Sequence, residues 1–195
     1  QTLSASLDRA TFQDEYRAYV QRFCAHISTA PVRRRVELLP LPQIGDREAI
    51  FEAILRGAQR AHQMNHVVDP ITGIRVSIGA IRMRTAASAF DLGQYCFNRD
   101  DSTDEVALRF NVYHAKMPLL ARHVLESEFR ALLNRKDPEA MWRHPGLRKL
   151  LDTHPGQDLA ICIVTTSIIE TGRDFDLDWG LYEPDSLRAV IQFAG

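Results

Sequence analysis

The sequence predicts an α/β fold: a parallel β-sheet flanked by helices, preceded by a mostly helical segment. Two observations carry this. From about residue 74 onward, short apolar runs alternate with stretches of helical periodicity, and repeated strand–helix units imply a parallel sheet covered on both faces. The most apolar run, DLAICIVTT at 158–166, reads as a central strand buried on both sides.

Phe12, Tyr16, Tyr19, Val20, Phe23 and Ile27 recur at helical spacing, which predicts an amphipathic helix over 8–29. Pro31 ends it, and VELLPLP (36–42) reads as a short strand closed by Pro40 and Pro42. Asp46 is placed to cap a second helix, REAIFEAILRGAQRAHQM. DPITG (69–73) has the composition of a turn. Strands follow at 74–83 and 106–114, with a helix at 85–97 between them and the acidic loop RDDSTDE as the joint. A helix is expected over 118–135, with Pro118 in its first turn. DPEAMWRHPGLRKLLDTHPG (137–156) reads as two short helical pieces broken by Pro145 and Pro155. DWGLYEP (178–184) is a last strand, and Ser186 caps a final helix. The division expected is a helical accessory segment over 1–66 and the α/β lobe over 67–195. Both chain ends read as cut, which makes the expectation a fragment of a longer polypeptide.

Composition narrows the function classes. The formal charge of -1 conceals an asymmetry: residues 1–98 carry 12 basic and 9 acidic side chains, residues 99–195 carry 12 and 16. No global basic field advertises nucleic-acid binding, so any such binding is local. The three cysteines, Cys24, Cys96 and Cys162, stand far apart among apolar residues and read as small buried hydrophobes in a reducing compartment. No apolar run approaches the roughly 18 residues of a membrane helix, no secretory signal is visible, and a cytoplasmic location is expected.

Three constellations invite a chemical reading. His62 and His66 stand at i, i+4, a spacing at which two imidazoles can share a metal, but no third ligand or HExxH glutamate is near in sequence. A surface helix face is the expectation there. Asp174, Asp176 and Asp178 alternate as DFDLD, yet a calcium loop counted from Asp174 finds Trp179 and Asp185 where it needs Gly and Glu. What remains is a strand end, a turn and an acidic stretch. In an open parallel sheet ligands bind outside the carboxyl ends of the strands. Thr165, Thr166, Gly172 and Asp174 sit at such an end. A hydroxyl and turn N–H groups there suit a phosphate oxygen, while a capped turn without a ligand fits the same residues.

The order of the pieces is more specific than any one of them. TSIIETGRD (166–174), a strand, then SLRAVIQFAG (186–195) resembles motifs five and six of superfamily-two helicases. The wording is similar to the helicase–nucleases of type I-F CRISPR systems. The likeness extends upstream through PVRRRVELLPLP, DPITGIRVSIGAIRMR as a motif-four strand, VYHAKMPLLAR and LLNRKDPEAMWRHPGL. It is strongest over 67–195. After Met83 the family continues Ala-Asn-Ile where this chain has Arg84, Thr85 and Ala86, which leaves the role of Arg84 open.

The resemblance implies the second RecA-like lobe of an ATP-driven translocase on single-stranded DNA, with a nuclease elsewhere in the parent chain, serving antiviral defence. ATP and Mg²⁺ would bind mainly through a first lobe whose GKT loop and acidic box this sequence lacks. The isolated chain is therefore expected to bind no cofactor, hold no metal and hydrolyse nothing. The implied partners are single-stranded DNA, the first lobe, the nuclease domain and a CRISPR surveillance complex. Thr165, Thr166, Arg82 and His114 are the candidates for DNA contact, although a strand-end Arg or His is often only solvated. Gly172, Asp174 and Gln192 are the candidates for the nucleotide side. Glu170 would clamp the turn by accepting backbone N–H bonds, and Arg173 would pair with an acid of the first lobe. Asp176 and Asp178 would be structural or pair between lobes. The turn would thus face DNA at its threonine end and ATP at its aspartate end. A non-catalytic interaction or regulatory module is the competing class; a small-molecule enzyme would need a nucleophile or base constellation that is not found.

Overall fold

The computed structural model describes residues 9–28, 36–42, 45–99, 105–134, 136–137, 139–170 and 175–185. The chain divides into two compact units, residues 1–38 and 39–195. The first contains α1 (Arg9–Ser28), within a residue of the predicted bounds at each end.

The second unit is built around a five-stranded sheet. Its elements run α2 (Arg47–Met64), β1 (Val67–Val68), β2 (Arg75–Arg82), α3 (Ala86–Asn98), β3 (Val106–Tyr113), α4 (Leu119–Leu132), α5 (Ala140–Arg143), α6 (Pro145–Thr153), β4 (Asp158–Thr165), a 3-10 turn (Ser167–Glu170) and β5 (Trp179–Tyr182). The unit takes in α2, so the packing boundary falls at residue 38, ahead of the compositional change at residue 66. The reason is the apolar stripe of α2, which buries Phe51, Ile54, Leu55 and Ala58 against the sheet.

β4 is central, parallel to β2 on one side and to β3 on the other. Two elements share the outer edge of β2. The two-residue β1 pairs antiparallel at its start, and β5 pairs parallel over Gly79–Arg82. Between them Asp178 imitates a strand: its N–H donates to the Ile78 carbonyl at 2.9 Å and its carboxylate accepts the Ile78 N–H at 2.8 Å.

Period-two alternation sends the strand residues to two cores. Val76, Ile78, Ala80, Leu159, Ile161 and Ile163 meet α4, α5 and α6 on one face. Ile81, Ala160, Cys162, Val164, Val106 and Leu108 meet α2 and α3 on the other. A side chain as completely buried as Ile78 or Ile163 contributes about 1.5–3 kcal/mol relative to exposure. Cys96 and Cys162 lie in the second core, and burial pushes the Cys96 thiol up to about 12, which keeps it protonated and inert. Close packing sets one position on β2: a Cβ at Gly79 would lie 2.1 Å from the Trp179 ring. Only glycine lets β5 lay its indole on β2.

An enclosed carboxylate ties the helices of residues 137–156 to the turn at 69–73. Arg148 donates to Asp69 at 2.6 and 3.0 Å and to the Trp142 carbonyl at 2.6 Å. Asp69 also accepts from the Thr72 hydroxyl at 2.6 Å, so the predicted turn is welded to α6. These bonds, Arg148 first, hold the Asp69 carboxyl at about 2 against the pull of burial.

The structure departs from the sequence reading at several places. VELLPLP forms no strand: residues 36–42 have no regular structure and Leu38 is 96% exposed, because Pro40 and Pro42 have no N–H to give to a ladder. Pro118 stands at the N-cap of α4, just before its first turn. The 3-10 turn after β4 was not foreseen, being shaped by the Thr166 carbonyl, which accepts from Ile169 N–H at 3.2 Å. The predicted helix from Ser186 lies outside the described residues.

Candidate nucleic-acid and nucleotide interface

Parallel register brings the carboxyl ends of four strands into one row. Tyr182 aligns with Arg82, Arg82 with Thr165, and Thr165 with Tyr113. The Met83 N–H donates to the Thr165 carbonyl at 2.8 Å and the Glu183 N–H to the Arg82 carbonyl at 3.0 Å, so pairing continues one step past the strands. Arg82, His114, Thr165 and Thr166, drawn from segments far apart in sequence, therefore meet along one edge, as the topology of such sheets requires. Gly172, Arg173, Asp174 and Gln192 lie outside the described residues.

The side chains along this edge are mostly enclosed. Thr165 is fully buried, and its hydroxyl donates to the Thr166 carbonyl at 3.3 Å. Thr166, at 8% exposed, opens the 3-10 turn at the rim. His114 is partly buried, with no hydrogen-bond partner at its Nδ1 among the described residues. Burial, and then the Lys116 charge, lower the affinity of this imidazole for a proton, so at neutral pH it offers an N–H rather than a charge.

Arg82 corrects the sequence reading most sharply. Placed among the DNA contacts, it is 2% exposed and committed to partners within the fold. Its Nε donates to Glu170 at 3.0 Å, its Nη2 to Asp185 at 2.8 Å and its Nη1 to the Glu183 carbonyl at 3.2 Å. The guanidinium lies 4.7 Å from the centroid of the Tyr182 ring. Burial disfavours the charge, but Asp185 and Glu170 more than offset this and raise the proton affinity of the group. Glu170, read as a clamp on backbone N–H groups, accepts from this guanidinium. Asp185, Glu183 and Tyr182 were not foreseen as members of the site. A signal was present: an arginine inside the apolar strand IGAIRM needs carboxylates to be buried at all.

The neighbouring positions fall into place. Arg84 is exposed, and its backbone N–H donates to the Glu183 carboxylate at 2.8 Å. Thr85 caps α3, accepting the Ser88 N–H at 3.0 Å. The departure from the family wording after Met83 thus begins a capped helix.

The histidine pair is also corrected. His62 is fully buried rather than on a surface face, because α2 packs flat on the sheet. Its Nδ1 lies 2.8 Å from the Ser77 hydroxyl, which also accepts from Trp179 Nε1 at 2.8 Å. Burial lowers the His62 proton affinity. Among the described residues no group of three or more His, Cys, Asp or Glu side chains is placed to hold a metal ion.

A mostly parallel sheet covered on both faces, with its polar residues gathered at the carboxyl ends of the strands, defines an α/β RecA-like lobe. Comparison with known proteins sharpens this. Residues 75–195 match the family described as CRISPR-associated nuclease/helicase Cas3, C-terminal, and the chain belongs to that family. It is 27% identical over 192 residues to the CRISPR-associated nuclease/helicase Cas3 subtype I-F/YPEST of Pseudomonas aeruginosa, covering 95% of this chain and 18% of that protein. It is 30% identical over 147 residues to the protein of the same description in Pectobacterium atrosepticum, covering 75% of this chain and 13% of that protein. The chain thus spans less than a fifth of either relative.

Proposed function

We propose that this chain serves as the second RecA-like lobe of an ATP-dependent single-strand DNA translocase and helicase, whose parent polypeptide also carries a nuclease and acts with a CRISPR surveillance complex against invading DNA in the cytoplasm. The observation that supports this best is the convergence of β2, β4 and β5 at one sheet edge in a chain of this family. In this reading residues 67–195 form the lobe proper and residues 1–66 are accessory to it.

Thr166 and adjacent backbone N–H groups would hold a DNA phosphate, which positions the strand without reading its sequence. His114 and Thr165 line the same edge in a supporting role. Gly172, Asp174 and Gln192 would face the nucleotide, and Arg173 the first lobe. ATP with Mg²⁺, bound mainly through that first lobe, would supply the hydrolysis that drives movement.

In the full-length parent, Thr166→Ala should increase the ATP consumed per base pair unwound, while Asp174→Ala should slow hydrolysis itself. Each effect should be roughly 10- to 100-fold, the worth of one charge-assisted hydrogen bond. The isolated 195-residue chain should hydrolyse no ATP. Equal, modest effects of both substitutions on hydrolysis alone would sink this reading, and DNA binding by a full-length protein without ATPase activity would favour a docking module.

A further inference from the structure

We infer that Arg82 is a positioning residue rather than a phosphate ligand. It locks the 3-10 turn after β4 to the segment after β5, so the two stretches flanking the expected coupling turn and the final helix shift together. The inference rests on the lobe assignment just proposed and adds a part that assignment does not contain.

The geometry points one way. Arg82 is the last residue of β2 and the strand is flanked at that level by Thr165 of β4 and Tyr182 of β5. Its guanidinium fork is shared between two chain segments: Glu170, on the β4 side, and Asp185 with the Glu183 carbonyl, on the β5 side. The side chains of Arg82 and Glu170 are 2% and 7% exposed, and that of Asp185 is 30% exposed. The Tyr182 ring lies over the guanidinium, and the Tyr182 hydroxyl donates to Asp185 at 3.0 Å, which orients the second carboxylate. A phosphate ligand needs a donor turned to solvent. Here Nε, Nη1 and Nη2 each donate within the fold.

Planarity makes the residue type decisive. A guanidinium reaches two carboxylates and a carbonyl from one rigid plane, whereas a lysine ammonium is a point charge on a flexible stem. A phosphate contact tolerates Lys; a two-sided clamp does not. The clamp therefore transmits displacement: movement of the turn after β4 pulls on Arg82, and Arg82 on the segment leading out of β5.

The test uses the full-length parent protein with a single-stranded oligonucleotide, a forked duplex and ATP. Arg82→Lys and Arg82→Gln should raise the ATP consumed per base pair unwound several-fold, with the salt slope of single-strand binding unchanged. A phosphate contact would instead lower that slope by about 0.7 on Arg82→Gln and leave Arg82→Lys near wild type, and that pattern overturns the inference. The near-isosteric Glu170→Gln and Asp185→Asn each weaken one arm, so they decide the matter if Arg82 variants fail to fold. Both should reproduce the uncoupling with DNA affinity held within about twofold.

Backbone hydrogen exchange reads the clamp independently of catalysis. Asp185→Asn should speed exchange over 167–170, and Glu170→Gln over 179–185. Exchange changes confined to the substituted segment overturn the inference whatever the ATPase shows. Absence of DNA-stimulated hydrolysis in the wild-type protein would instead remove the translocase reading and leave the exchange result to decide the clamp.

Discussion

An arginine–carboxylate clamp lies close to each end of β2, and the two are built differently. Ahead of its amino end, Asp69 is completely enclosed, and its carboxylate meets its own turn and Arg148 of α6. At its carboxyl end the buried member is the cation, Arg82, which divides its donors between two segments. The first is a staple: it closes a turn and fixes an insert. The second is a link between elements that belong to the ligand-facing edge. In a parallel sheet the amino end has only packing to satisfy, while the carboxyl end must hold its loops and respond to what binds there. Similar side chains therefore have different consequences depending on which end of the strand they occupy.

The largest effect should come from breaking the staple. Arg148→Met leaves the enclosed Asp69 carboxylate with only its own turn as partner, and losing the charge-assisted hydrogen bonds of a part-buried arginine should cost about 2–3 kcal/mol. Urea denaturation should show that loss, while the ATP consumed per base pair in the full-length protein stays as in wild type. A comparable loss of coupling would erase the distinction between the two ends.

Acid should separate them next. The Asp69 carboxyl is held at about 2, below its ordinary 3.8. A depressed carboxyl contributes stability that is complete above the unfolded value and disappears as pH falls through the folded one. Roughly 2 kcal/mol should therefore be lost between about pH 4 and pH 2. Asp69→Asn should flatten that part of the stability profile, and an unchanged slope in the variant would count against the assignment. Asp185 is lowered in the same direction, first by Arg82 and then by Tyr182, but its solvent exposure makes its share small.

The smallest effect tests the start of α3, beside the link. Thr85→Ala removes the oxygen that accepts the Ser88 N–H and should cost about 1 kcal/mol, read by thermal or urea unfolding. Coupling should not change, because Thr85 takes no part in the Arg82 contacts.

Much of the fold was legible because burial imposes periodicity. The four longer strands and the helices between them fall within a residue or two of the spans that apolar spacing marks, apart from the later end of α4 at Leu132. β1, at two residues, is too short to have a pattern, and exists only because Val67 and Val68 pair with β2. VELLPLP misled because its apolar residues have strand character while its prolines forbid the ladder. The edge of the sheet was legible too, since Thr165 and Thr166 end an apolar run. The partners of Arg82 were not: Glu170 and Asp185 are 88 and 103 residues away in the chain, and only the strand order brings them together. His62 differs: it stands four residues after Ala58 and seven after Leu55, on the apolar stripe of α2 that meets the sheet, so its burial was legible in the spacing.

The indole of Trp179 lying where position 79 has no side chain has a consequence for sequence comparison. The two positions share one space, so their sizes are reciprocal. A related chain with a larger residue at the position of Gly79 can keep this strand pairing only if the position of Trp179 shrinks. Where both are large, β5 must sit elsewhere, and the carboxylate that follows it at Asp185 goes with it. A single pair of residue sizes thus sorts related sequences into those that can close the clamp on Arg82 and those that cannot.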